Sequence, residues 1–141
     1  METLVLVGAS LIDGTGAEPV RGRAVVVEGG RIASVVDDAS APRGRRIALE
    51  GCTLLPGLSN FHGSLLPELE LMVKYGMTPL EAVRSATSVA ADALGLGGVT
   101  GRVVPGYSAD LLAVAGQPAE RIGALADVRL VLARGAVVTA P

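Results

Sequence analysis

Residues 23–36 consist of two runs rich in β-branched residues, Arg23–Glu28 and Arg31–Val36, with Gly29-Gly30 between them. Glycine accepts a positive φ at both central positions of a two-residue turn, so this pattern predicts a tight antiparallel β-hairpin. A chain that forms such a hairpin must pair it with further strands or cover it, because an isolated two-stranded ribbon is barely stable in water.

The end of the chain has the same pattern. Val128–Ala133 and Ala136–Thr139 flank Arg134-Gly135 and predict a closing hairpin. Nineteen glycines and eight prolines indicate many tight turns and short connections. Further strands are predicted at Thr3–Val7, Ala9–Ile12, Arg46–Glu50, Cys52–Leu55, Arg102–Val104 and Ala109–Ala115.

The middle of the chain has helical periodicity. Apolar residues at the spacing i, i+4, i+7 and i+8 predict a helix over about residues 65–75. Thr78-Pro79-Leu80-Glu81 supplies an N-cap, a proline at the first helical position and a glutamate at the third, which predicts a second helix over about residues 78–94. Two helices so close in sequence are expected to form a helical hairpin.

The order strands, two helices, strands predicts a mainly β fold with an inserted helical hairpin, in the α+β class. The length of 141 residues fits a single domain over residues 1–141. Within it we expect N-terminal strands in residues 1–62, the helical hairpin in residues 63–97 and C-terminal strands in residues 98–141.

The charge balance and the ends of the chain exclude several classes. A net charge of −2, with no basic stripe, argues against a nucleic-acid partner. No apolar run of about 18 residues is present, so no membrane span is expected. Met1-Glu2-Thr3 lacks the basic region of a secretory signal, and the single Cys52 excludes an internal disulfide. We therefore expect a cytoplasmic protein.

The segment Leu55-Pro56-Gly57-Leu58 and the residues that follow it resemble a motif of known enzymes. In metal-dependent amidohydrolases of the imidazolonepropionase and prolidase-like kind, the motif is Leu-Pro-Gly-Leu-Ile-Asp-x-His-x-His. Here Asn60 stands in place of the Asp, His62 matches the first His and Ser64 replaces the second.

Several other blocks resemble the same family in the same order. The resemblance implies that the strands before and after a (β/α)₈ barrel come together as a composite β-sandwich, while the barrel itself, which typically needs about 250 residues, is missing near residues 60–67. The matching blocks are Leu11–Gly16, Val27–Ile32, Ala86–Gly95, Gly101–Leu112 and Arg129–Gly135.

The resemblance also bears on metal binding. The family's equivalent of His62 binds a divalent metal, but Ser64 is a poor zinc ligand and a catalytic zinc normally has three protein ligands. The other nearby donors are Cys52, Glu68 and Glu70. We therefore expect no metal and no cofactor. Residual hydrolysis of C–N bonds with a metal near His62 remains an alternative, and it would need ligands from another chain.

A metal-free catalytic role for His62 is a second alternative. Histidine can act as a general base near neutral pH, with a carboxylate such as Glu68 or Glu70 orienting it and Ser64 as a nucleophile. The plain structural alternative is that His62 has no role once the barrel is lost. Asp13 and Asp110 also suggest acid–base chemistry, but they are better explained as turn residues whose carboxylates accept backbone N–H groups.

The helical hairpin carries more apolar side chains than one face can bury. Large exposed apolar patches usually mark interfaces, so we expect self-association, as a homodimer, through this hairpin. We also expect an apolar cleft for a small hydrophobic ligand, with a metal-free cyclase or isomerase as an alternative use of it. An inactive fragment is the remaining alternative. The predicted ligand-binding residues are Asn60, Phe61, Leu69, Met72 and Tyr75.

Overall fold

The computed structural model describes residues 2–58 and 65–139 of the chain. In this part of the chain, nine strands and three α-helices follow one another in the predicted order of strands, helices and strands. They are β1 (Leu4–Val7), β2 (Ser10–Leu11), β3 (Arg23–Glu28), β4 (Arg31–Asp37), β5 (Arg45–Ala48), β6 (Cys52–Pro56), α1 (Leu65–Lys74), α2 (Pro79–Ala86), α3 (Ser88–Ala93), β7 (Leu111–Ala115), β8 (Val128–Ala133) and β9 (Ala136–Thr139). Short 3₁₀ turns lie at Asp38–Ser40 and Ile122–Ala126.

The strands form two sheets. The first has the order β4-β3-β1-β5 and contains only strands that precede the helices. The second has the order β2-β6-β7-β8-β9 and joins two strands from before the helices to three from after them. The prediction of a composite, mainly β fold is therefore confirmed, and the mixing of the two chain halves takes place in the second sheet.

The chain passes twice from the first sheet to the second, and the two passages run side by side. Strand β1 lies parallel to β5, and β2 lies parallel to β6. Gly8 lies in the link between β1 and β2, and Gly51 lies in the link between β5 and β6. Because the paired strands are parallel, the two links between the sheets lie next to each other.

Both predicted two-residue hairpins are present. Glu28 pairs with Arg31 in the first, and Ala133 pairs with Ala136 in the second. The predicted strand at residues 102–104 is wrong. Val103 instead donates its backbone N–H to the carbonyl of Asp13 at 2.9 Å and buries its side chain to 2% exposure.

The capping box that begins α2 is confirmed. The side chain of Thr78 accepts from the backbone N–H of Glu81 at 3.1 Å, and the Glu81 carboxylate accepts from the backbone N–H of Thr78 at 2.9 Å. That backbone hydrogen bond lowers the pKa of Glu81. The helix predicted over residues 78–94 is interrupted, because Thr87 has ψ −92° and separates α2 from α3.

The core has two parts, one on each face of the second sheet. Between the two sheets lies an aliphatic cluster that includes Leu6, Val25, Ile32, Leu54, Leu111 and Leu130. On the other face, alternate residues of the same strands contact the helices in a cluster that includes Leu55, Leu69, Val83, Leu112, Val114 and Ile122. The helical region therefore covers the composite sheet.

Candidate functional site

Four of the predicted site residues lie outside the described residues. They are Asn60, Phe61, His62 and Ser64. The structure does place the chain that leads up to them: β6 ends at Pro56, and the backbone N–H of Gly57 donates to the carbonyl of Asp110 at 2.8 Å. The catalytic assignments of His62, Ser64 and Glu68 thus stay predictions.

The remaining predicted metal donors do not come together. Cys52 belongs to the cluster between the sheets, whereas Glu68 and Glu70 are exposed on α1, which packs on the other face of the second sheet. Within residues 2–58 and 65–139, no group of three or more His, Cys, Asp or Glu side chains could hold a metal ion. These donors therefore do not fit the metal centre that the family resemblance implies.

Cys52 does not lie in the environment of a reactive, nucleophilic cysteine. Its side chain lies in the sheet core, and burial raises the pKa of its thiol. A raised pKa keeps the group protonated at neutral pH, and the thiolate is the reactive form. We therefore assign Cys52 to packing.

Two concave sites are present among the described residues, and no residue of α1 lines either of them. A cavity of about 100 Å³ lies beside Ser10, Cys52 and Gln117. An open groove of about 440 Å³ is lined by four apolar residues together with Asp13, Arg21, Arg23 and Asp37; the apolar residues are Leu11, Val20, Val35 and Val103. Neither site contains the predicted ligand-binding residues Leu69, Met72 and Tyr75.

The inner face of α1 is a core surface. Leu69 is 1% exposed and packs in the cluster that covers the second sheet. A ligand cleft was expected between the helical hairpin and the sheet. At Leu69 this space is occupied by packed apolar side chains. Leu69 therefore serves packing, and it is not available to line a ligand site in this conformation.

Seven residues between Pro67 and Tyr75 are exposed, and five of them lie within about 60° of Leu71 around the helix. We name these five, Pro67, Glu68, Leu71, Lys74 and Tyr75, the α1 outer face, although Tyr75 directly follows the last residue of α1. Leu71 is 51% exposed and Tyr75 is 79% exposed. The Lys74 ammonium lies 5.7 Å from the centre of the Tyr75 ring, close enough for a cation–π contact. Of these residues, the sequence predicts Tyr75 as ligand-binding and Glu68 as a catalytic residue or metal donor, and it does not single out Lys74.

Two more apolar side chains lie near this face. Met72 is 37% exposed, and its sulfur lies 3.7 Å from the Ser85 hydroxyl on α2. Met77, just after the helix, is 40% exposed. Four apolar side chains on α1 or just after it, Leu71, Met72, Tyr75 and Met77, are thus exposed.

Some features of the outer strands discourage pairing with another chain. The register between β8 and β9 shifts at Val131 and Leu132, and that between β3 and β4 shifts at Val26 and Val27. The edge strand β5 carries the exposed Arg45. Bulges and charges at sheet edges discourage edge-to-edge pairing. The edge strand β9 lacks a charge and exposes Val137 and Val138, so it is a candidate for association beside the α1 outer face.

This fold, a composite β-sandwich with helices on its mixed sheet, is the class found in prolidase-like hydrolase structures. A putative prolidase from Bifidobacterium longum matches with a TM-score of 0.88 at 14% identity, over 99% of this chain and 95% of that one. The crystal structure of an amidohydrolase matches with a TM-score of 0.79 at 11% identity, over 99% of each chain. At these identities the likeness is one of fold.

Residues 15–139 match the amidohydrolase family, and the chain belongs to this family. A Xaa-Pro dipeptidase crystallised with methionine in its active site is 36% identical over 55% of this chain and 19% of its own, with a TM-score of 0.52. The dipeptidase chain is therefore much longer. Comparison with curated proteins gives no match.

The described residues form two sheets and three helices and contain no (β/α)₈ barrel. None of the helices in this part of the chain is long and apolar enough to span a membrane.

Proposed function

We propose that this chain is a barrel-less amidohydrolase-like domain whose role is self-association, without metal-dependent hydrolysis. The observation that carries the proposal is the exposure of Leu71 and Tyr75 on a helix whose opposite face is already buried. A surface helix of a soluble monomer normally has one apolar stripe. A second exposed apolar stripe indicates a second surface that a binding partner can cover.

Covering this surface would stabilise the assembly. Because Leu71 is 51% exposed, covering it would contribute about half of the roughly 1.5–3 kcal/mol that full burial of a leucine side chain is worth. Tyrosine is among the residues most enriched in binding hot spots, since it offers a large rigid surface and a polar hydroxyl. Leu71 and Tyr75 are four residues apart and so lie on one side of the helix, where one partner can contact both.

The metal-free part of the proposal rests on the donors in the sequence. His62 is the only histidine, and Ser64 replaces the family's second one. Cys52 lies on the opposite side of the second sheet from Glu68. Metal analysis of the purified protein tests this point: stoichiometric zinc that is lost in His62→Ala would revive the hydrolase alternative.

Light scattering at micromolar concentration tests self-association. We expect a dimer for the wild-type chain and a monomer for Leu71→Glu and for Tyr75→Glu. Leu94→Glu is the matched control, because Leu94 is 69% exposed and lies beyond α3. A wild-type chain that is monomeric at these concentrations would exclude the proposal. A monomeric Leu94→Glu variant would show that the interface includes a surface other than α1.

A small hydrophobic ligand is a second candidate role. It is favoured by the open groove, whose volume of about 440 Å³ lies within the range of small-molecule sites. A hydrophobic compound that binds there should raise the melting temperature of the wild type but not of Val20→Arg, since ligands stabilise the state they bind. A cyclase or isomerase activity would further require His62 and Ser64 to act on that ligand.

A further inference from the structure

We propose that the open groove beside Val20 binds a small aliphatic monocarboxylate and that the Arg21 guanidinium holds the carboxylate. The inference rests on the small-ligand role proposed above for this groove and specifies the chemical class of the ligand. It follows from the apolar floor of the groove and from the hydrogen bonds that its charged residues already make.

The floor of the groove is a part of the core between the two sheets that no other element covers completely. Leu11 and Val103 belong to the aliphatic cluster in this core and are 5% and 2% exposed. Val35 packs against the same cluster, and Val20 is 48% exposed. All four apolar residues of the lining are aliphatic. An aliphatic chain on this floor would extend the core and cover Val20, and burial of apolar surface favours binding.

Backbone hydrogen bonds hold the walls of the groove in place. Leu11 and Val20 each donate a backbone N–H to the carbonyl of the other, at 2.7 and 3.0 Å. The Val103 N–H donates to the Asp13 carbonyl at 2.9 Å. Because these segments are already ordered, a ligand would have to order little additional chain, and such preorganisation favours affinity.

Two of the four charged residues in the lining are paired with each other. One Arg23 nitrogen lies 3.4 Å from an Asp37 carboxylate oxygen, and another donates to the Val35 carbonyl at 3.0 Å. The Arg23 charge is therefore already matched by a carboxylate within the groove.

The other two charged residues, Asp13 and Arg21, differ in their hydrogen bonding. One Asp13 carboxylate oxygen accepts from the Thr15 backbone N–H at 2.9 Å and from the Thr15 hydroxyl at 2.6 Å. The Arg21 guanidinium forms no ion pair with any residue in 2–58 or 65–139. Arg21 is thus the charged donor that a ligand can engage, and a guanidinium can bind a carboxylate through two parallel hydrogen bonds.

The position of Arg21 also suits the end of an aliphatic chain. Arg21 lines both the groove and the cavity of about 100 Å³ beside Ser10 and Gln117. It therefore lies where the apolar floor of the groove adjoins a space with polar side chains. A ligand whose chain lies on the floor can place a polar head at this junction.

The acidic residues around Arg21 restrict the head group. A doubly charged head such as a phosphate would bring a second negative charge towards Asp13, Asp37 and, in the adjoining cavity, Asp38, and like charges repel. An ammonium head would face the guanidinium groups of Arg21 and Arg23, while the Asp13 carboxylate already accepts two hydrogen bonds. A single carboxylate is therefore the head that matches Arg21.

Octanoate, octanamide and octylamine have the same chain length and test the head group. Titration calorimetry of the full chain at low salt should give a dissociation constant for octanoate about tenfold below that for octanamide, because hydrogen bonds between charged groups are the stronger ones. Octylamine should bind more weakly than octanamide. The preference for octanoate should decrease as salt is added, since Arg21 is exposed.

Arg21→Gln removes the charge and keeps a polar side chain. We expect the dissociation constant for octanoate to rise about tenfold and that for octanamide to stay within about twofold. Arg43→Gln is the matched control, because Arg43 is an exposed arginine that lines neither concave site. It changes the net charge equally and should leave both constants unchanged. Val20→Ser removes apolar surface from the groove and should weaken both probes alike.

The outcomes separate this inference from the ligand role on which it rests. Equal binding of octanoate and octanamide, tighter binding of octylamine, or an octanoate preference that survives Arg21→Gln would overturn the carboxylate assignment and leave the groove as a site for hydrophobic ligands. If none of the three probes binds, or if Val20→Ser changes no affinity, both proposals fall. An octanoate preference that is lost in Arg21→Gln and kept in Arg43→Gln supports the monocarboxylate site.

Discussion

The backbone of Gly135 lies directly against that of Gly30: a methyl group added at Gly135 would lie 2.9 Å from the Cα of Gly30. The two glycines are the second residues of the two hairpin turns, one from each half of the chain. Ala109 connects them, since it donates its N–H to the Gly30 carbonyl at 2.9 Å and accepts from the Gly135 N–H at 3.0 Å. The two sheets are thus joined at their turns.

This contact predicts an unusually sensitive turn. Gly135 has φ +79°, and Gly51 has φ +77° with nothing within 4 Å of an added methyl group. A positive φ costs about 1–2 kcal/mol for an L-residue, so Gly51→Ala should destabilise the fold by about that amount. Gly135→Ala should cost clearly more, because the backbone of Gly30 must also move. Urea unfolding of both variants measures the difference, and equal losses would contradict it.

The ion pair between Asp92 and Arg102 predicts acid sensitivity. Two Arg102 nitrogens each lie 3.0 Å from an Asp92 carboxylate oxygen, and this hydrogen bonding lowers the pKa of Asp92 below its ordinary value of 3.8. A carboxyl with a lowered folded-state pKa contributes stability above pH 3.8 that is lost as the pH falls through the folded-state value. Asp92→Asn should lower the melting temperature at pH 7 and have little effect at the acid end.

Asp127→Asn is the control for this prediction. Asp127 pairs with Arg129, only two residues away, and the hydrogen bond from Arg129 lowers the pKa of Asp127 in the same direction. Residues this close also meet in the unfolded chain, so the pKa difference between states is smaller. Thermal melts from pH 7 to pH 2 should show a smaller loss for Asp127→Asn, and an equal or larger loss would refute the assignment to Asp92.

Local turn and cap chemistry made much of the fold predictable. The glycine-containing turns predicted both hairpins, and Thr78 with Glu81 predicted the start of α2. The reading of Asp13 as a turn residue also holds, because its carboxylate accepts from the backbone N–H of Thr15. Asp110 was predicted to be a turn residue too, but its carboxylate accepts from the backbone N–H of Arg134, 24 residues away in the second hairpin turn. Each confirmed feature depends on a local property of one or two residues, either a glycine that accepts a positive φ or a short polar side chain that hydrogen-bonds a nearby backbone group.

The errors arose where tertiary contacts override local pattern. Val103 is β-branched and therefore resembles a strand residue, yet it lies outside the strands. Its side chain is buried, and its backbone N–H donates to the carbonyl of Asp13. The break at Thr87 has no signal in helix propensity; there the Thr87 hydroxyl donates to the Val83 carbonyl at 3.0 Å. Helical periodicity also placed Leu69 and Met72 on one apolar face of α1. It did not show that Leu69 is buried while Met72 is 37% exposed.

Leu69 and Leu71 provide a matched test of the two faces of α1. Leu69 is 1% exposed and Leu71 is 51% exposed, although they are the same residue type on the same helix. Leu69→Ala leaves a cavity in the core and should cost about 2–5 kcal/mol of unfolding free energy. Leu71→Ala removes exposed surface from a folded monomer and should change the stability of the monomer little.

The dependence on protein concentration distinguishes the two variants further. Because association stabilises only the folded state, the wild-type melting temperature should rise with protein concentration. Leu69→Ala should melt lower at every concentration and keep this rise, since its outer face is intact. Leu71→Ala should match the wild type at high dilution and lose most of the rise. Calorimetry over a roughly hundredfold range of protein concentration measures this rise. The same concentration dependence in both variants would refute the assignment of the two faces.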